Sequence, residues 1–453
     1  MNKFVCMFAI LIAGFSSPLL ATVYFVDSQN GSDQASGISE GQAWRSLEKV
    51  NQADLKPGDV VRFARGGLWR GSLIPKSGAA GAPVTYTCYG PDELPKPRLY
   101  GSLPLNRPAD WVKIETHFWR TTVPVVKPTS SLTYCDAGNL IFDGNRAGVK
   151  CWSKEQLKAE GDFWSDLETG HVWLFSNNNP AESCHEIEAA LRRSHVVNLT
   201  GVHHVVISDF DVRYGASHGF GGSGNSNVTI RDCDISWIGG GHQFTRPDGV
   251  QVRYGNGIEF WADAHDHLVE GCRLWEIYDA ALTNQGDGKN LQQNITYRNN
   301  IIWNCEYSFE YWNRDEESVT DNIVFTNNTC LNAGYGWGHK QRPDPNGRHL
   351  MFYETTAKTT NFVITKNVFA YATESILRVD SRRGREQTAE QSDAAQKSGE
   401  QGIDWVKHLI MNNNVWFRHP GDGSLLVLWQ SEKINDFHIY REKSGLDRNS
   451  IIR

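Results

Sequence analysis

Asn294-Ile295-Thr296-Tyr297 and Asn322-Ile323-Val324-Phe325 begin alike, with an asparagine followed by apolar and β-branched residues. Five other segments start with Asn or His in the same way, at His204, Asn227, His267, Asn361 and His408. The seven starts are separated by 23, 40, 27, 28, 39 and 47 residues. Such intervals are typical of stacked repeat proteins. Because strands of four or five residues cannot bury their faces alone, the pattern predicts coils that stack into a solenoid.

A polar column recurs later in each repeat. Asparagine fits a tight corner, since it tolerates left-handed backbone angles and its amide can bond to the amide of the next coil. The recurring chemistry favours a right-handed parallel β-helix over a β-sandwich, whose strands alternate polar and apolar residues. Alignment on the seven starts predicts the members of the column as Asp234, Arg273, Asn300, Asn328, Asn367 and Asn414.

The N-terminal part resembles a known family. The segments that carry the resemblance are YFVDSQNGSD at 24–33, LKPGDVV at 55–61, GGLWRG at 66–71 and PVTY at 83–86. They look like the start of secreted bacterial right-handed β-helix proteins of the pectate-lyase-like superfamily, which includes polysaccharide lyases, glycoside hydrolases and epimerases. The resemblance covers this start and the coils, most of the chain. It implies the fold more specifically than the reaction, since one fold hosts many chemistries.

We predict an all-β fold in five parts. The charge of Lys3, the apolar stretch 4–15 and the small-residue exit at Ala21 indicate a signal peptide, too short to anchor the chain in a membrane. We therefore expect a secreted or periplasmic bacterial protein with no membrane span. The predicted parts are the signal peptide at 1–21, an N-terminal cap with the first coils at 22–101, an inserted and mainly antiparallel β module at 102–190, the main parallel β-helix at 191–430 and a C-terminal cap or tail at 431–453.

Composition limits the classes of partner. The net charge of −7 gives no electrostatic support for nucleic-acid binding. The 16 tryptophans, 15 tyrosines and 20 phenylalanines include many in Gly-, Asn- and Asp-rich surroundings, which suit sugar rings. None of the nine cysteines forms a Cys-x-x-Cys pair, so the sequence predicts no metal site. Cys233 and Cys272 are expected to stack as buried thiols or to form a disulfide, and a bridge among Cys135, Cys151 and Cys184 is left open.

Three long intervals indicate loops at 239–256, at 335–348 and from 381 to about 404. Loops inserted at one corner of successive coils project from one side, so we expect them to wall a groove. Two of them share an Arg-Pro-Asp phrase and are rich in histidine and cations, the groups that handle negative charge or protons. The predicted substrate-binding residues are His242, Arg246, Tyr254, Trp312, Trp337, His339, Lys340, Arg342 and His349.

Glu259, Asp279 and Glu310 are the predicted catalytic residues. Glu259, Thr283 and Glu310 share a column that points outward, because Ile258 and Phe309 occupy the alternate phase. Two coils at ~4.8 Å each separate the glutamate backbones by ~10 Å. Side chains can shorten that distance to the ~6.5–9.5 Å of an inverting glycosidase pair, whereas Asp279 at ~5–5.5 Å from Glu310 would indicate a retaining enzyme.

Three functions remain open from the sequence. The favoured one is hydrolysis of a polysaccharide or oligosaccharide by paired carboxylates, in a monomer that needs no cofactor. The second is β-elimination from a uronic-acid-containing glycan, which requires a base and a cation that neutralises the substrate carboxylate, with Ca²⁺ as a cofactor in that case alone. The sequence contains no run of alternating acidic residues that would predict a calcium-binding loop. The third is glycan binding without catalysis.

Overall fold

The computed structural model describes residues 21–126, 136–191, 195–380, 404–418 and 425–453. Within them the chain winds repeatedly through three long sheets, named A, B and C in the order in which each coil meets them. Neighbouring strands are parallel, apart from the last strand of sheet C, and this confirms the predicted parallel β-helix with a short repeat. The predicted signal peptide, except Ala21, and most of the loop from 381 lie outside the described residues.

The strands of each sheet follow in chain order. Sheet A contains Val23–Val26, Val60–Ala64, Val84–Tyr89, His203–Ser208, Ser226–Arg231, Ala264–Glu270, Leu291–Arg298, Val319–Thr326, Lys358–Thr365 and Leu409–Asn412. Sheet B contains Leu68–Arg70, Arg98–Tyr100, Asp211–Arg213, Asp234–Ile238, Arg273–Ile277, Ile301–Trp303, Thr329–Ala333, Val368–Ala372, Val415–Phe417 and Ile451–Ile452. Sheet C contains His195–Asn198, His218–Gly222, Ile258–Trp261, Ala280–Gly286, Tyr307–Asn313, Arg348–Tyr353, Ser375–Asp380, Val427–Trp429 and Glu432–Ile434.

An inserted module interrupts the coils between sheets B and C. Its pairs are antiparallel except for one, as predicted. One of its sheets contains Trp111–Glu115, Phe118–Thr121, Val149–Cys151, Asp162–Ser165 and Val172–Phe175, and the other Ser102–Pro104, Ala137–Phe142, Arg146–Ala147 and Ile187–Leu191. Among the described residues the helices are Leu47–Gln52, Pro180–Ser183 and Phe437–Ser444, with 3-10 turns at Glu40–Gln42, Pro108–Asp110, Lys154–Gln156, His339–Gln341 and Asp404–His408.

Left-handed backbone explains the recurring starts. Asn227, Asn294, Asn322 and Asn361 have φ between 50° and 56°, a region that asparagine and aspartate enter more readily than most other residues. In the sixth coil Asp266 has φ 60° and lies at the level of Asn294, since His265 lies opposite Gln293 and His267 lies opposite Ile295. The predicted start at His267 is therefore wrong by one residue, because the corner geometry selects the aspartate.

The polar column forms a buried ladder of hydrogen bonds. Asn328 accepts the backbone N–H of Asn300 at 3.0 Å and donates from its amide to the carbonyl of Tyr297 at 3.0 Å and to Asn367 at 3.1 Å. Asn367 bonds to Asn414 in the same way. Each asparagine thus satisfies backbone groups at a corner that water does not reach. The ladder ties successive coils together.

Cysteines continue this ladder in the preceding coils. The backbone N–H of Cys272 donates to Asn300 at 2.9 Å, and Arg273 lies opposite Ile301. Asp234 and Arg273 therefore lie one position after the column in which they were predicted, and Cys233 and Cys272 occupy it as fully buried stacked thiols. The one-residue error at Asp266 is the cause for Arg273, whereas Asp234 was placed seven residues after its start at Asn227 when the other asparagines follow theirs by six. All described cysteines are unbridged, including Cys151 and Cys184, while Cys135 lies outside the described residues.

Both ends of the interior are closed by helices. Ser46 caps the first helix by accepting the N–H of Lys49, and this helix buries Leu47 and Val50 in the same hydrophobic cluster as the coils. At the other end, Phe437 and Tyr440 pack against Trp416 of sheet B. Covering the terminal coils protects strand edges that would otherwise pair with other chains. Among the described residues, no helix has the length and apolar character that a bilayer span requires.

The insertions share one corner, with one exception. The inserted module, the hairpin of Gly241–Thr245 with Gln251–Tyr254, and the loop at 334–347 all connect sheet B to sheet C. The loop from 381 instead connects sheet C to sheet A, so the expectation of a single corner is wrong for this loop. The other three insertions flank the outer face of sheet C.

Candidate active site

Sheet C brings the predicted catalytic column together on its outer face. Glu259 lies opposite Thr283, and Thr283 lies opposite Glu310, which confirms the predicted register. Ile258 and Phe309 belong to the interior cluster, so the two carboxylates face away from it. Both are nevertheless covered by neighbouring side chains, with exposed fractions of 6% and 3%. Their burial makes them candidates for perturbed protonation.

Glu310 accepts hydrogen bonds from three side chains. Tyr353 donates its hydroxyl at 2.9 Å, Thr283 donates at 3.4 Å, and the amide of Gln285 completes the set. Burial and, after it, the charge of Asp279 raise the pKa of Glu310 to about 8, against the opposing effect of the bonds from Tyr353 and Gln285. At neutral pH this carboxyl group therefore holds a proton.

Asp279 and Glu306 lie on adjacent coils, immediately before their strands of sheet C. Arg342 joins them, since one terminal nitrogen lies 3.2 Å from Asp279 and its Nε lies 3.7 Å from Glu306. His339 adds a contact of 3.0 Å to Glu306, and the backbone N–H of Asn346 donates to it at 2.8 Å. The loop at 334–347 is thus fastened to the corner of sheet C by one carboxylate network.

The pKa values of the two carboxylates of this network are shifted in opposite directions. Burial raises the pKa of Asp279, and Glu306 raises it further, although the Arg342 guanidinium opposes this. Burial also acts to raise the pKa of Glu306, but the bond from His339 and the charge of Arg342 outweigh it and keep that pKa below its usual range. Glu306 is 2% exposed and is the anchored anion, while the side chain of Asp279 is 18% exposed.

A surface cavity of about 440 Å³ adjoins this network. The inserted module, the hairpin and the loop at 334–347 each supply part of its wall, as the sequence predicts for a groove between loops. Glu310 does not line the cavity, and Arg342 is the residue that connects the cavity to the carboxylates. Its lining residues are Trp152, Gln156, Gly249, Val250, Gln251, Arg253, Lys340, Gln341, Arg342 and Pro343.

Glu259 has surroundings of a different kind. Its carboxylate accepts the side-chain amide of Asn256 at 2.8 Å and lies 3.3 Å from Nδ1 of His218. The ring of His195 stacks on that of His218, with centroids 5.2 Å apart. Burial raises the pKa of Glu259, and it lowers the pKa of His195 to about 3.

The hairpin residues of the prediction pack between insertions. His242 donates its backbone N–H to Asp136 of the inserted module, and its ring meets Trp152 edge to face at 5.4 Å. Arg246 lies 4.0 Å from Asp344 of the neighbouring loop. Tyr254 accepts the hydroxyl of Ser217 at 3.0 Å. His242, Arg246 and Tyr254 are all half-buried, and none of the three lines the cavity; their contacts hold the hairpin against its neighbours.

The other predicted substrate-binding residues differ in how exposed they are. Trp312 is 7% exposed and packs edge-on against Trp261, and Trp337 donates from its indole to the carbonyl of Glu276. Lys340 is exposed at the cavity. His349 is fully buried, contacts the hydroxyl of Ser308 and the carbonyl of Ala370, and so is wrong as a substrate-binding residue, because it points into the space between sheets C and B.

Glu306, Gln285 and Tyr353 were not predicted. Glu306 lies opposite Asp279 in the next coil, so adding one repeat of 27 residues to Asp279 finds it. Gln285 follows Thr283 by two positions on the same strand face. Tyr353 has no comparable signal, since the loop at 334–347 obscures the spacing between its coil and the previous one.

A known family model matches the fold described above. The family model described as right handed beta helix region matches residues 167–341. A lacto-N-biosidase from Bifidobacterium longum subsp. longum is 38% identical over 81 residues, which span 17% of this chain and 5% of that protein. The chain therefore matches only a small part of this curated relative.

One solved structure shows the same architecture. A structure described as a glycoside hydrolase has a TM-score of 0.53 at 10% identity, covering 94% of this chain and 99% of that one. The lacto-N-biosidase of glycoside hydrolase family 136 from Eubacterium ramulus has a TM-score of 0.46 at 12% identity, covering 95% of this chain and 67% of that one. The coordinates, the family match and the first of these structures agree that this chain is a right-handed parallel β-helix protein.

Proposed function

We propose that this protein is an exported carbohydrate-active enzyme that hydrolyses glycosidic bonds, with Glu310 as the general acid and Asp279 as the general base. The observation that carries the proposal is the buried Glu310, whose pKa of about 8 leaves it protonated at neutral pH beside the ion pair of Asp279 with Arg342. One protonated and one ionised carboxyl group are what glycoside hydrolysis requires.

The reaction balances with these two groups. Glu310 gives its proton to the glycosidic oxygen as the bond from that oxygen to the anomeric carbon breaks. Asp279 takes a proton from a water molecule, whose oxygen bonds to the anomeric carbon. The charge of Arg342 favours the ionised form of Asp279, against the effect of burial, and Glu306 with His339 keeps Arg342 in place. Asp279 then releases its proton to solvent, and a proton from solvent returns to Glu310.

The strand register favours inversion of configuration. Asp279 lies opposite Glu306, four positions before Glu310. Four strand residues at about 3.3 Å each, together with one inter-strand step of about 4.8 Å, separate the two backbones by roughly 14 Å. Side chains that reach towards each other leave room for a water molecule, as in inverting enzymes, rather than the ~5–5.5 Å contact of retaining ones.

A glycan panel tests this proposal. Neutral and uronate-containing polysaccharides are incubated with the full chain, and reducing ends are measured together with the absorbance of unsaturated uronates. We expect reducing ends without that absorbance, and a product of inverted anomeric configuration by proton NMR. Glycan binding without any product would overturn the enzymatic proposal and favour a binding protein.

A second function has its own supporting observation. Arg253, Lys340 and Arg342 all line the cavity, and such a concentration of cations suits a uronate carboxylate. Neutralising that carboxylate is the first requirement of β-elimination, and Lys340 is the exposed candidate base. Formation of unsaturated uronates on the same panel would establish this reaction in place of hydrolysis.

A further inference from the structure

We infer that His195, His218 and Glu259 bind a divalent transition-metal ion on the outer face of sheet C. Their candidate ligand atoms all lie within 4.8 Å of one another. Two imidazoles and one carboxylate are a ligand set of zinc sites and of other first-row divalent metals. This site lies apart from the Asp279–Glu306–Arg342 network, and the inference does not depend on the proposed hydrolysis.

The three ligands come from three successive coils. His195 lies opposite His218 in the next strand, and the strand of His218 pairs with that of Glu259. This register explains why no sequence motif announces the site, since the ligands are separated by 23 and 41 residues. A metal ion here fastens three coils together at the point where the hairpin leaves the solenoid.

His195 supplies the second observation. Both of its ring nitrogens are buried and have no hydrogen-bond partner. A buried imidazole without partners is unfavourable, because each unsatisfied polar atom has lost its hydration without replacement. A metal ion bound by one of these nitrogens removes part of that penalty.

The backbone leaves space between the ligands. Gly221 lies opposite Glu259, on the coil between His195 and Glu259. A side chain at this position would enter the site, since a Cβ on Gly221 would lie 3.1 Å from the ring of His195. The absent side chain keeps the volume between the outer two ligands open.

Asn256 orients the other two ligands. Its backbone N–H donates to Nδ1 of His218 at 3.1 Å, and its side-chain amide donates to Glu259 at 2.8 Å. The bond to Glu259 is of the supporting kind found in metal sites, whereas the bond to His218 uses the Nδ1 lone pair, which a metal ion bound at that nitrogen would take over. Ligand atoms bonded to Zn²⁺ at about 2.0–2.2 Å lie some 3–3.5 Å apart, so shifts of about 1 Å in each side chain complete the set. Three protein ligands leave a coordination position for water or a substrate hydroxyl.

Titration of the metal-free full chain with Zn²⁺ by calorimetry tests the inference. We expect one Zn²⁺ per chain, with affinity reduced about 100-fold or more in His195→Ala and in Glu259→Gln. His203→Ala is the matched control, since His203 is an exposed histidine of sheet A, and it should bind Zn²⁺ as the unaltered chain does. Ca²⁺ serves as the second probe and should not compete, because it prefers oxygen ligands.

A spectroscopic readout separates ligation from a packing role. Co²⁺ bound to this set should give visible absorption bands that both variants lack and the control retains, while circular dichroism verifies that all chains are folded. Zn²⁺ should also raise the Tm of the unaltered chain and leave that of Glu259→Gln unchanged. Absence of Zn²⁺ binding in the unaltered chain, binding undiminished in both variants, or displacement of Zn²⁺ by Ca²⁺ would each overturn the inference.

Discussion

Replacing Glu310 by glutamine should separate catalysis from stability. The variant keeps its hydrogen bonds, since its carbonyl can accept from Gln285 and its amide can donate to the hydroxyl of Tyr353. It cannot transfer a proton to a leaving group, and loss of a general acid typically lowers turnover by about 10²–10⁴-fold. We therefore expect an inactive protein that is at least as stable as the unaltered one.

The stability effect has a definite sign. Burial raises the pKa of Glu310 from 4.5 to about 8, so the folded state holds a proton that the unfolded state releases between these values. Stability contributed by this group is complete below pH 4.5 and is lost as the pH rises towards 8. At about 1.4 kcal/mol per pH unit, the loss reaches roughly 3 kcal/mol at pH 7. Glutamine has no proton to release and escapes this loss.

Urea unfolding of both proteins at several pH values measures the difference. The free energy of unfolding of Glu310→Gln should exceed that of the unaltered protein by under about 1 kcal/mol at pH 5 and by roughly 3 kcal/mol at pH 7. Glu316→Gln is the control, because this exposed carboxylate should change neither turnover nor the pH dependence. A difference that stays constant from pH 5 to pH 8 would refute the argument, as would full activity in Glu310→Gln.

Three further substitutions, the last with a control variant, test other parts of the account. Arg342→Lys should lower kcat and move the acidic limb of the pH–activity profile to higher pH, since lysine cannot bridge both neighbouring carboxylates, and an unchanged limb would contradict this. Tyr353→Phe removes a bond that lowers the pKa of Glu310, so the alkaline limb should move to higher pH, and a downward shift would be the contrary result. Asn328→Ala should destabilise the protein by about 3–5 kcal/mol in urea unfolding, because it leaves buried backbone groups unpaired, whereas Asn322→Gly, which retains a left-handed start, should cost under about 1 kcal/mol.

The sequence predicts the repeat well because backbone geometry selects residue types. Left-handed starts require Asn, Asp or an occasional His, and the ladder requires side chains that serve backbone groups at a corner. The same rule corrects the alignment at Asp266, where residue type alone suggested the histidine beside it. The cysteines of the ladder column could not be predicted from polarity. A thiol fills the same position but does not form the hydrogen bonds that an asparagine side chain forms there.

The site is less accessible to sequence reasoning. The strand register predicts that Glu259 and Glu310 share one column, but it does not predict that their surroundings differ. Glu259 lies beside two histidines, and Glu310 lies near Asp279. His349 shows the opposite error, since its basic loop suggested a ligand while the strand turns its ring inward. Local turns of the backbone decide which side chains contact the next coil. The spacing of residues in the sequence does not predict these turns.

A crystal structure of Glu310→Gln with an oligosaccharide tests the central claim most directly. The account predicts that the sugar lies on the outer face of sheet C beside the cavity at Trp152, with a glycosidic oxygen within hydrogen-bond distance, about 2.6–3.2 Å, of the residue 310 amide. An oligosaccharide bound on sheet A or sheet B, or one whose glycosidic oxygens all lie out of reach of residue 310, would contradict it.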